Sequence, residues 1–152
     1  MAKYKFRLAT LQKVRDARRD RDRAALAEAF RAEQVLADRN AALSSEAAEL
    51  QTLQRSVLTS TVLDVNRLLE AQRYELVLKA RSADLAQQQT MLAVETERRR
   101  QQLIEADREV RVLERLDERH RQEHRRKEER IEVKQLDEVA IRWTAGWGRD
   151  IS

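Results

Sequence analysis

The chain is predicted to be all-α, a long two-stranded antiparallel coiled-coil hairpin whose second helix is longer than its first. Three observations carry this prediction. The only two glycines are Gly146 and Gly148, and no proline occurs. Tight turns normally need one or the other to reach unusual backbone angles, so the chain should turn very rarely. Charged residues make up 38% of the sequence and aromatic residues 4%, against ~25% charged in ordinary soluble domains. The apolar content is mostly Ala, Leu and Val, which suits narrow seams between helices rather than a thick core.

The first helix is expected over about residues 3–57. Leu8, Leu11 and Val14 open its helical pattern. Leu36, Leu43, Leu50 and Val57 follow at intervals of seven, a heptad column. Its partner column is Arg39, Glu46 and Leu53 on one choice and Asn40, Ala47 and Gln54 on the other. Ser56-Val57-Leu58-Thr59-Ser60-Thr61-Val62 is a Ser/Thr and β-branched cluster, poor inside helices and good at their ends. The turn is placed at about 57–61, with Thr61 and Asp64 as a capping box. A single unbroken helix with a polar patch is the alternative. The second helix is expected over about 62–143, followed by a flexible tail over 144–152. Leu78, Leu85 and Leu92 form its first column, and Leu103 and Val110 resume eleven residues after Leu92, a four-residue stutter. Folded back, residue 8 should lie near residue 110 and residue 18 near residue 100. Beyond about residue 116 the second helix should overhang without a partner strand.

The net charge of +4 is unevenly laid out. Residues 1–23 carry nine Lys/Arg and three Asp, and residues 98–130 carry twelve basic and nine acidic groups. The hairpin brings these two blocks to its open end. The stretch between them is net acidic. With no cysteine there is no disulfide and no thiolate site. No apolar run approaches the length of a membrane span, and no signal-peptide core follows the basic N-terminus. These features fit a cytoplasmic protein without direct membrane insertion.

Chemistry-bearing motifs are few. A glycine-rich phosphate loop, a nucleophile elbow and a dense acidic cluster are all missing, so no catalytic residue, cofactor or metal is expected. His120 and His124 stand at i,i+4, which two exposed side chains alone do not turn into a metal site. Arg98-Arg99-Arg100 and Arg125-Arg126-Lys127 are interleaved with acids and lack stacking aromatics, so nucleic acid is not expected as a partner. Trp143 and Trp147 stand out in an aromatic-poor chain as interface anchors or as packing at a helix end. Tyr74 precedes Leu78 by four and shares a face with Arg81 and Leu85. Spacing alone assigns it to the seam.

Four stretches resemble one family. Phe6-Arg7-Leu8-Ala9-Thr10-Leu11-Gln12-Lys13-Val14-Arg15 is similar to its opening F-x-L-x-x-L-L-x-V-R. Tyr74 and its leucines are similar to the start of its second helix. Val110-Arg111-Val112-Leu113-Glu114-Arg115-Leu116 and Lys134-Gln135-Leu136-Asp137-Glu138-Val139-Ala140 are similar to its two late segments. In this order and spacing, the stretches resemble the FliJ/YscO family of type III secretion. The resemblance implies a non-enzymatic stalk or chaperone escort of the flagellar export apparatus, similar in fold to the central-stalk gamma subunit of rotary ATPases. It implies docking in the ring of the export ATPase FliI and contact with the cytoplasmic domain of the export-gate protein FlhA, with export chaperones as further partners. It implies a cytoplasmic protein, peripheral at the membrane-associated apparatus. The ATPase end would hold Leu8, Leu11, Arg15, Arg18, Leu113, Leu116 and Arg119. The gate face would hold Leu43, Leu50, Tyr74, Leu78 and Leu85. Arg39, Glu46 and Arg81 replace the residue types the family has there. A generic coiled-coil scaffold and a basic nucleic-acid-binding hairpin are the competing readings.

Overall fold

The computed structural model describes residues 2–148. It contains two helices, α1 over Ala9–Thr59 and α2 over Val65–Trp147, of 51 and 83 residues. The chain divides into two compact units. A terminal unit comprises Met1–Arg19 with Ala106–Ser152, and a turn unit comprises Asp20–Glu105. In each unit the two helices pack against each other antiparallel, the fold class that the missing turn residues predict.

The connection lies later than the Ser/Thr cluster suggested. Those hydroxyls close α1 instead of opening α2. Ser56 Oγ donates to the Leu53 carbonyl at 2.9 Å, Thr59 Oγ1 to Arg55 at 2.9 Å and Ser60 Oγ to Val57 at 2.8 Å. The bonds to Leu53 and Arg55 double up on carbonyls inside the last turns. Thr59 Oγ1 also reaches the Ser56 carbonyl at 3.2 Å, and Ser56 and Val57 are among the last four residues, whose carbonyls a helix end leaves without regular intrahelical partners. The cap of α2 is Asp64 and not Thr61. Its Oδ1 accepts from the backbone N–H of Asn66 at 3.1 Å and of Arg67 at 3.4 Å. A carboxylate suits this place because it also meets the positive end of the helix. Among the described residues no φ is positive, so the connection at 60–64 is built from ordinary backbone angles. A turn of that kind needs no glycine.

Moving the turn moves the register. Arg18 meets Glu109, not residue 100, and Tyr4 reaches Asp117. In the turn unit Arg99 meets Ala25, and Tyr74 meets Glu46. The heptad columns mark the seam. Leu36, Leu50, Ala71, Leu78 and Leu85 are buried, and Leu43 and Ala47 pack against Leu50, Ala71 and Leu78. Of the two partner columns, the one containing Ala47 and Gln54 faces α2, while Leu53 stays exposed. Thr96 falls in the stutter between Leu92 and Leu103. It is buried, with its hydroxyl bonded to the Leu92 carbonyl at 2.9 Å. The terminal unit closes on Ala106, Val110 and Leu113.

Both ends depart from expectation. Residues 2–6 are not helical, and α1 begins at Ala9 rather than near residue 3. The N-terminal segment runs beside α2 as a strap. Tyr4 Oη donates to Asp117 Oδ1 at 2.7 Å, and the Tyr4 ring meets His124 edge-on at 5.6 Å. Phe6 meets His120 in the same way at 6.0 Å. These sideways contacts hold the two aromatic side chains in an extended stretch, where alternation and not helical spacing presents them to one surface. The strap covers α2 well past residue 116, where the overhang was expected to begin. From residue 129 to 147 every position of α2 is exposed. The helix also continues through Thr144, whose hydroxyl bonds back to Ile141 at 2.9 Å, so 144–147 are helical and not tail. Gly148 follows as a turn, and the rest of the expected tail, 149–152, lies outside the described residues.

An acid-sensitive clip crosses the turn unit. Glu95 accepts from Arg98 at 2.6 Å and from Arg99 at 2.9 Å, and Arg99 also donates to the Ala25 carbonyl of α1 at 2.7 Å. Hydrogen bonds from Arg98 and then Arg99 hold the Glu95 carboxyl well below its usual range, at about 2. A carboxyl depressed in the folded state stabilises it above the ordinary pKa, and that contribution disappears as pH falls through the folded value. The thermal midpoint by circular dichroism should therefore fall as pH drops from about 4.5 toward 2. Glu95→Gln should flatten this dependence while lowering the midpoint at neutral pH.

Candidate interaction surfaces

The terminal unit is a buried strip flanked by charge. Val110 is completely buried and Leu113 nearly so, while Leu8 and Leu116 are half-buried and Leu11 lies at the edge. Arg15 Nη1 donates to Glu109 Oε2 at 2.5 Å, and Arg18 Nη1 donates to the same oxygen at 3.1 Å. Two guanidiniums converging on one carboxylate form a fastening between α1 and α2. Arg119 is exposed, as are Lys3, Lys5, Arg7 and Lys13. The expected residues of this end thus share one unit but differ in office. Leu113 is inside the seam, Arg15 and Arg18 bind Glu109, and the open positive charge comes from the strap and the first turns of α1.

The strap adds residues that sequence reasoning missed. Asp117 is buried and is held by Tyr4 from one side and by Arg121 at 3.1 Å from the other. The Arg121 guanidinium lies 5.7 Å from the Tyr4 ring centroid, within cation–π range. Burial, then the hydrogen bond to Asp117, raises the Tyr4 hydroxyl above its ordinary pKa. A signal was available. Tyr4 and Phe6 are two apart while His120 and His124 are four apart, which is the match between an extended segment and a helix.

The turn unit holds the other expected surface. Leu50, Leu78 and Leu85 are buried in the seam and Leu43 is half-buried against it, so these four position the face rather than present it. Tyr74 stands at the seam's edge, 42% exposed, with its hydroxyl donating to Glu46 Oε2 at 3.0 Å across the helices. That bond is the main cause of its raised pKa. Below it, Lys79 at 3.1 Å and Gln54 at 3.4 Å bind Glu75 and lower its carboxyl pKa. Val77, three positions on and therefore on the same side of α2, is open beside Tyr74, while Leu76 is open on the opposite side. A shallow groove at Leu43 and Leu85 is rimmed by Arg39, Glu46, Arg81 and Asp84. The surface is therefore aromatic and aliphatic with a rim of mixed charge, the make-up of a protein-docking face.

Among the described residues, no three His, Cys, Asp or Glu side chains gather as metal ligands. No described helix is long and apolar enough to cross a membrane. No curated protein and no solved structure matches the chain. The family described as flagellar FliJ protein matches residues 4–146. That match runs from the Tyr4 strap through the turn to the last turn of α2, so the chain belongs to the FliJ family of flagellar type III export.

Proposed function

We propose that this protein is a non-enzymatic stalk and chaperone escort, docked by its terminal unit in the ring of the export ATPase FliI. Its turn unit contacts the cytoplasmic domain of FlhA, and it works in the cytoplasm, peripheral to the membrane-associated export apparatus. The observation that carries the reading is the family match across both helices, the turn and the strap. The terminal unit supports it physically. Its two helices are fastened internally through Glu109, which leaves Lys3, Lys5, Arg7 and Lys13 exposed for an acidic surface. Such contacts give salt-sensitive attraction.

The internal fastening decides how docking is tested. Reversing Arg15 and Arg18 alone would also break their bonds to Glu109. A charge-swapped variant, Arg15→Glu with Arg18→Glu and Glu109→Arg, keeps opposite charges facing each other. Lys5→Glu with Arg7→Glu and Lys13→Glu touches only exposed positions. At low salt the second variant should bind purified FliI on the order of tenfold more weakly than the parent. The swapped variant should lose less. Parental affinity in the exposed-charge variant would refute the docking.

A further inference from the structure

The last turns of α2 carry an apolar seam that the fold leaves uncovered. Val133, Leu136, Ala140, Trp143 and Trp147 follow at alternating steps of three and four, the spacing of the inner positions of a coiled coil. Every one of these positions is exposed, Trp143 by 69% and Trp147 by 72%. The stretch is helical, and its hydroxyl-bearing Thr144 is bonded back into the helix. All five belong to the terminal unit, whose described strap residues reach His124 and the groove at Ile131.

We infer that this stripe is a docking seam for one helix of a partner protein, amphipathic and basic along the flanks of its own apolar stripe. The positions bordering the seam hold Glu132 on one side and Asp137 on the other. These are the places from which coiled-coil partners choose one another by charge. They also disfavour a second copy of this chain. A parallel pair would set Glu132 of each chain against Asp137 of the other. Like charges there are repulsive. An antiparallel pair centred on Ala140 would set Asp137 against Thr144 of the other chain and Glu132 near Gly146, so neither acid gains an opposite charge. The stripe is only two heptads long, shorter than the roughly three to four heptads over which coiled-coil pairing is normally sustained. A partner helix with Lys or Arg at its flanks meets both acids with opposite charge, and the two tryptophans supply large contact area near the end of the seam.

The chain's only two tryptophans both lie on this stripe, so tryptophan emission, excited selectively over tyrosine, reports on it alone. The probes are two synthetic peptides of about three heptads, free of tryptophan, with Leu at the inner positions. One carries Lys at the flanking positions and the other Glu. Titrated into the full chain at low salt, the Lys peptide should shift the emission to the blue and bind about tenfold more tightly than the Glu peptide. Leu136→Asn, at an exposed position, should abolish the shift while leaving the helical ellipticity unchanged. Three results would each overturn the inference: equal binding of the two peptides, a shift that survives Leu136→Asn, or an emission maximum that moves with protein concentration alone, which would assign the stripe to a second copy.

Discussion

Val110→Asp should open the terminal unit, at a cost of about 3–5 kcal/mol. Val110 has no exposed surface, and its neighbours in the seam are Ala106 at 1% and Leu113 at 8% exposure. A carboxylate there would be buried among apolar side chains. Arg15 and Arg18 of the facing helix already bind Glu109 one position away. The control sits two residues on. Val112 is 63% exposed on the other face of the same helix, and Val112→Asp should stay within roughly 0.5 kcal/mol of the parent. Because the chain has two compact units, one global unfolding midpoint could blur the result. Amide hydrogen exchange resolved by segment avoids this. Protection over 106–117 should collapse in Val110→Asp and persist in Val112→Asp. Retained protection in the first variant would mean that the seam tolerates charge and that Val110 does not hold the unit together.

The contrast between these two valines shows what the sequence makes legible. The lack of glycine and proline implies two helices, and the columns through Leu36, Leu50, Leu78 and Leu85 pick out the buried side of each. Local signals of this kind depend only on residues three, four and seven apart. The turn was harder to place because Ser and Thr serve either end of a helix. Thr59 and Ser60 donate backward to α1 carbonyls, while the N-cap falls to Asp64, which sequence spacing alone put in a supporting position. That displacement shifts every cross-helix pair, so the partnership of Arg15 with Glu109 could not be found from the sequence. The basic end was visible as a count of charges. Which charges are fastened and which are open depends on the register, and that is a property of the fold. The strap escaped for a different reason. Tyr4 and Phe6 precede the helical pattern, and their partners lie more than a hundred residues away in the chain.

The same distinction divides the expected gate face into two kinds of residue with opposite predicted effects. Leu78 is 5% exposed and packs with Leu50 and Ala71, with Leu43 and Ala47 against them. Leu78→Ala removes most of a buried side chain from a seam one layer thick. It should cost about 2–3 kcal/mol, the low side of the usual range because thin seams can relax into the space. Leu76 is two residues away and 66% exposed. Leu76→Ala should change stability by less than about 0.5 kcal/mol. Binding to the FlhA cytoplasmic domain should instead follow the open side chains that share a face with Tyr74, measured at a temperature where the variants are folded. Tyr74→Ala combined with Val77→Ala removes open apolar surface from that face and should weaken binding on the order of tenfold. Leu78→Ala should weaken it only as far as the seam loosens. A stability assay and a pull-down on the same proteins separate the two roles. If Leu78→Ala binds worse than the Tyr74 and Val77 variant while remaining folded, the gate must reach into the seam and displace one helix from the other. The exposed positions would then be bystanders. If the ranking is as expected, the leucine column holds the two helices together, and α2 then keeps Tyr74 and Val77 on one open face.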